Sequence, residues 1–307
     1  MANLSRRSFL ASAIAASAAS GVAAEDKSVG GFDENLSVFL ADVHVPSQSW
    51  WSRPIFERVV GQILAMRPLP RRVVVFGDLA LYHGWKSDYE GSLPFLRRLA
   101  DAGIELTIGM GNHDRRSAFL EVWPEYGKRT LVPGRIVTRT NLGHADLVML
   151  DGLAGADDRG ERDCGPSRGV LDEPQQKWLL AELEALKRPT FFGSHYPIVD
   201  LKLGDRPLGK VLLDHPLAVG YIHGHVHTAS SHWEGSKKRF YRTMCLPSAS
   251  MDTDLGYVVF RTEPGKATAT LVMNDFLFPI LGRNDRRPAG WDEIVRDKNG
   301  RVCTFLL

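Results

Sequence analysis

Four apolar runs in this chain stop abruptly in polar residues, and that pattern restricts the possible fold more than any other feature. The runs are NLSVFLADVH (Asn35–His44), RVVVFGD (Arg72–Asp78), IELTIGMGNHD (Ile104–Asp114) and PTFFGSHYP (Pro189–Pro197). Their near-continuous hydrophobicity suits strands covered on both faces. Helical patterns separate them at about Pro54–Met66, Gly91–Ala102 and Glu173–Lys187. The last places Trp178, Leu179, Leu183 and Leu186 on one face, with Pro174 near its start. Strand–helix alternation predicts an α/β sheet, and in such sheets ligands gather beyond the carboxyl ends of the strands.

That rule gives Asp42, His44, Asp78, Asn112, His113 and His195 a common location. A further run, LAVGYI, leads into YIHGHVHTAS (Tyr221–Ser230), which holds His223, His225 and His227, three of the ten histidines. On a strand, residues two apart share a side, so the three imidazoles are expected to face one point and invite a metal ion. Each polar residue also has a plain alternative, since Asp or Asn after a strand caps a helix or builds a turn. Five stretches that all supply hard or borderline ligands at strand ends are more economically explained by a metal centre.

In order, DVH, GD, GNHD, SHYP and GHVH resemble the motif set of the calcineurin-like metallophosphoesterases, over residues 36 to 228. The resemblance implies a four-layer α-β-β-α sandwich, two packed mixed β-sheets flanked by helices. It also implies two divalent or trivalent ions (Mn, Fe, Zn, Co or Ni). Asp42, His44, Asp78 and His227 would hold one, and Asp78, Asn112, His195 and His225 the other, with the Asp78 carboxylate bridging. A water or hydroxide between the ions would attack phosphorus. His113 would contact the phosphate as a non-ligand and protonate or stabilise the leaving oxygen. The neutral Asn112 amide should make the second site the weaker one. By strand parity His223 shares the side of His225 but lies outside the motif, so a packing or supporting role is expected for it. Arg115 and Arg116 are candidates for phosphate contact, or for the solvated first turn of a helix.

The segment from LDGLAGADDRG through LDEPQQKWLLAELE to SHYP is similar to the cyclic-nucleotide and glycerophosphodiester phosphodiesterase branch, so a phosphodiesterase is expected ahead of a phosphomonoesterase. GDLALYHG lacks the acidic residue that protein Ser/Thr phosphatases pair with the catalytic histidine. Leu81 stands where purple acid phosphatases have tyrosine, and Tyr82 comes one place late. A non-catalytic metal- or phosphate-binding protein is the rival class. Trp50, Trp51 and the Asp151–Arg168 loop are candidates for the pocket wall.

Composition narrows the rest. The net charge is +2, and without Arg6 and Arg7 it becomes 36 basic against 36 acidic residues. Bulk charge therefore gives no reason to expect a nucleic-acid partner. MANLSRRSFLASAIAASAASGVAAED resembles a bacterial twin-arginine export signal, with small residues for cleavage at Val22–Ala24; a mitochondrial transit peptide is the alternative. The expected organisation is a signal at 1–24, recognised by the twin-arginine machinery, and a single periplasmic or secreted domain at 25–307. No run approaches the roughly 20 apolar residues of a membrane span. Cys164, Cys245 and Cys303 have no metal or redox spacing. KRFYRTMCLP, GYVVFRTEPG and KATATLVMND read as strands of a second, mostly antiparallel sheet.

Overall fold

Adjacent residues Phe191 and Phe192 belong to different hydrophobic cores, as the two-residue period of a strand requires. In the computed structural model the described residues are 31–48, 51–153, 164–235, 240–250, 254–274 and 290–307; the expected export signal lies outside them. The strands are β1 (Phe32–Leu40), β2 (Leu69–Val75), β3 (Glu105–Ile108), β4 (Thr138–Asn141), β5 (Asp146–Met149), β6 (Thr190–Gly193) and the short pair β7 (Lys202–Leu203) and β8 (Arg206–Pro207). They continue with β9 (Ala218–His223), β10 (Ser230–Gly235), β11 (Phe240–Cys245), β12 (Gly256–Glu263), β13 (Lys266–Met273) and β14 (Val302–Leu306). The helices are α1 (Ser52–Leu64), α2 (Lys86–Asp101), α3 (Arg116–Val122), α4 (Glu125–Arg129), α5 (Glu173–Ala185), α6 (Leu208–Asp214) and α7 (Trp291–Lys298).

Two six-stranded sheets carry the fold, in the orders β14-β13-β12-β1-β2-β3 and β10-β11-β9-β6-β5-β4. Both are mixed. In the first, β1, β2 and β3 are parallel while β12, β13 and β14 add antiparallel. In the second, β5, β6, β9 and β11 run parallel, with β4 and β10 antiparallel at the edges. The C-terminal strands therefore do not build a separate, mostly antiparallel sheet. β11 extends the second sheet, and β12 and β13 join β1 in the first.

Aromatic side chains fill the space between the sheets. Phe191 of β6 meets Phe260 of β12 and Phe305 of β14 edge-on, each at 5.1 Å between centroids. Phe192 instead joins Leu179 and Leu183 of α5 and Leu208 and Leu212 of α6 on the outer face of the second sheet. On the first sheet, α1 buries Ile55, Phe56, Val59, Val60 and Ile63, the spacing of one helical face. Asp172 caps α5 by accepting from the Gln175 N–H at 3.3 Å, with Pro174 in the first turn. α2 begins five residues before the expected Gly91, because that glycine does not break the helix. It lets the helix approach the DVH-containing loop, where a Cβ would stand 2.6 Å from Ser47 Cα.

Candidate metal centre

The parallel strands β1, β2 and β3 end on one edge, and β6 and β9 of the second sheet deliver their own carboxyl ends to the same place. Asp42 and His44 follow β1, Asp78 follows β2, Asn112 and His113 follow β3, His195 follows β6, and His225 and His227 follow β9. Hydrogen bonds cross between the sheets here. The His195 Nδ1–H donates to the Phe76 carbonyl at 2.9 Å, and the His225 N–H reaches the Asp42 carboxylate at 3.1 Å.

The strands stop short of the ligands, and the backbone turns sharply between them. Among the described residues, the non-glycine positions with positive φ are Asp42 (51°), His44 (44°), Asp78 (52°), His225 (70°) and His227 (54°). All five are candidate ligands. Left-handed backbone costs an L-residue roughly 1–2 kcal/mol, so together they oppose folding by something on the order of 5–10 kcal/mol. That is comparable with the whole net stability of a typical domain, about 5–15 kcal/mol. Such a concentration of strain at one place points to function. It also corrects the alternating-strand expectation for the three histidines. β9 ends at His223, and left-handed turns aim His225 and His227. His223 stays buried, with Nδ1 2.9 Å from the Gly224 carbonyl, and belongs to neither cluster.

The side chains form two groups, Asp42–His44–His227 and Asp78–His195–His225, each with its ligand atoms within 4.8 Å of one another. In the first, Asp42 Oδ1 lies 3.1 Å from His227 Nε2 and 4.0 Å from His44 Nε2. His44 Nδ1 faces the carbonyls of Ala80 and Leu81 at 3.0 and 3.1 Å. A carbonyl only accepts, so Nδ1 carries the proton and Nε2 presents its lone pair inward. That Nε2 is buried with no hydrogen-bond partner. In the second group, His195 is oriented the same way, and its Nε2 faces Asn112 Oδ1 at 3.0 Å, His225 Nδ1 at 3.1 Å and Asp78 Oδ2 at 3.2 Å. Electron-rich atoms packed face to face are stable only around positive charge. The donor set therefore fits two cations, and His/Asp/Asn donors suit borderline divalent metals.

In the absence of cations, a proton on His195 takes part of their place. Burial and the neighbouring imidazoles push the His44 pKa down against the pull of Asp78 and Asp42, and His225 is lowered by burial and by His195. Burial alone would raise the Asp78 carboxyl, but His195, His44 and His113 hold it well below the usual carboxylate range. Burial opposes charge on His195, yet Asp78 lifts its pKa to about 9. Asp114, the last residue of GNHD, is pushed up to about 7 by burial and by Asp78. It accepts N–H groups from Ala80 at 3.0 Å and Gly111 at 2.9 Å, tying the loops after β2 and β3 together. Gly111 must lack a side chain, since a Cβ there would meet the Asp78 backbone nitrogen at 2.6 Å.

His113 stands beside the clusters. Its Nε2 is 3.9 Å from Asp78 Oδ2, and its Nδ1 is 3.1 Å from the Tyr82 carbonyl. The Cys164 thiol donates to the same carbonyl at 3.1 Å and lies 3.6 Å from His113 Nδ1. Sequence order gave no signal for this contact, because the loop carrying Cys164 reaches it through space; the Gly165 N–H also donates to the Asn112 carbonyl, at 2.6 Å. Cys245 and Cys303 are buried.

The two arginines part company. Arg116 does not serve as a phosphate contact, because its guanidinium is buried and committed to Asp151 (2.6 and 2.8 Å) and to the Leu153 carbonyl. Asp151 also accepts from the Ile136 and Leu153 N–H groups, and Gln175 brackets its backbone. Arg115 donates from Nε to the His83 carbonyl at 2.8 Å and lines a groove of about 590 Å³ with Trp85 and Lys86. Of the expected pocket wall, Trp50 and residues 154–163 lie outside the described residues.

A family model for calcineurin-like phosphoesterases matches residues 37–229. No curated protein matches the chain. Among solved structures, a dimetal phosphatase from Danio rerio is similar at TM-score 0.57 and 13% identity, over 77% of this chain and 95% of that one. A protein from Thermus thermophilus is similar at TM-score 0.46 and 13% identity, over 74% of this chain and 94% of that one. At 13% identity, the likeness to the Danio rerio protein concerns the fold alone.

Proposed function

This chain belongs to the calcineurin-like phosphoesterase family, a family of metal-dependent phosphoester hydrolases, and within it we propose a phosphodiesterase exported by the twin-arginine route. The observation that carries the hydrolytic reading is the convergence of two His/carboxylate clusters on one edge of two sheets, with Asp78 facing ligands of both. Asp42, His44, Asp78 and His227 would hold one cation, and Asp78, Asn112, His195 and His225 the other. Cations held there supply positive charge for a phosphate and lower the pKa of water.

The chain's own groups do the rest. His113 keeps Nδ1 on the Tyr82 carbonyl and turns Nε2 toward the clusters. That orientation suits an acid delivering a proton from Nε2 to the leaving oxygen. Arg115, two residues after His113, is the remaining arginine candidate for substrate contact. The diester preference is supported by the likeness of the Asp151–Pro197 segment to the phosphodiesterase branch, and the donor set is compatible with Mn, Fe, Co, Ni or Zn.

The test is turnover of chromogenic phosphodiesters and monoesters by protein reconstituted with each metal. Faster diester hydrolysis is expected. A monoester preference would favour the phosphatase alternative, and absence of turnover on both would favour a binding protein.

A further inference from the structure

We infer that Tyr82 is a specificity-determining residue that receives the planar face of an aryl or heteroaryl leaving group. The inference rests on the hydrolase reading above, because it takes its direction from His113. If His113 Nε2 serves the leaving oxygen, the carbon skeleton attached to that oxygen departs past whatever surrounds His113. One such neighbour is the Tyr82 ring, 5.6 Å from the His113 ring between centroids and inclined at 61°. An isolated exposed aromatic is ordinary. Tyr82 differs because its main chain is pinned: its carbonyl accepts from His113 and from Cys164. Its side chain is nevertheless 49% exposed. An open aromatic ring on a pinned backbone beside an acid, with only two side-chain torsions to fix, presents area to a ligand at little conformational cost. The aromatic surface continues through His83 to Trp85, which is 44% exposed and 4.8 Å from the His83 ring.

The experiment compares binding of phenylphosphonate and methylphosphonate to full-length protein loaded with Mn(II), by calorimetry. The wild type should bind phenylphosphonate more tightly by about 3- to 10-fold, the scale of one aromatic contact. Tyr82→Ala should remove most of that preference while leaving methylphosphonate affinity unchanged. The anchoring carbonyl belongs to the backbone, so this variant keeps the loop's hydrogen bonds. Tyr82→Phe should retain the preference. Equal affinities in the wild type, a preference surviving in Tyr82→Ala, or its loss in Tyr82→Phe would each overturn the assignment. If neither phosphonate binds and chromogenic phosphoesters are not hydrolysed, the hydrolase reading fails and this inference falls with it. Turnover with no phenyl preference overturns the role of Tyr82 alone.

Discussion

His44 Nε2 stands 3.7 Å from Asp78 Oδ2, so a histidine of the first cluster reaches the carboxylate of the second. Neither cluster is independent of Asp78. Asp78→Asn keeps the shape but removes the charge facing both, and it should lower turnover by at least ~10³-fold, several kcal/mol of transition-state stabilisation. Wild-type turnover with two metals bound would contradict the bridging role.

His113→Ala should keep both metals, since His113 lies outside the two groups. Turnover should fall by about 10²–10⁴-fold, most for poor leaving groups. Metal analysis beside rates for a graded series of leaving groups checks this; loss of metal would make His113 a ligand.

The histidines of GHVH and the one before it should differ. His225→Ala is expected to empty the site shared with His195 and the neutral Asn112 amide. His227→Ala should damage the site shared with Asp42 and His44. His223→Ala should retain both ions, with at most about a 10–100-fold loss in affinity or activity. Metal content per chain for the three variants decides between this assignment and one shifted by a residue pair.

Arg116→Ala leaves the Asp151 carboxylate buried without its partner. The expected effect is on folding, a loss of about 3–5 kcal/mol read from denaturant midpoints. A stable variant with a raised KM would restore Arg116 to substrate contact.

The sequence made the site legible because each ligand directly follows an apolar run, a local signal. It made the supporting contacts obscure because they are not local. Arg116 finds its acid after β5, a strand the apolar-run pattern did not pick out. β12 was readable as a strand, but its pairing with β1 near the other end of the chain left no trace in either segment. The histidine spacing suggested strand parity, whereas positive φ at His225 and His227 does the aiming.

Those left-handed positions set the site against the stability of its own scaffold. A Cβ is what makes such backbone costly, so alanine keeps the penalty and glycine relieves it. In the absence of cations, His227→Gly should therefore be more stable than His227→Ala, by about 1 kcal/mol. The same two variants should be alike in failing to retain metal at the first cluster. Selection for thermal resistance alone would erode these residues toward glycine, and only selection for the metal would keep them.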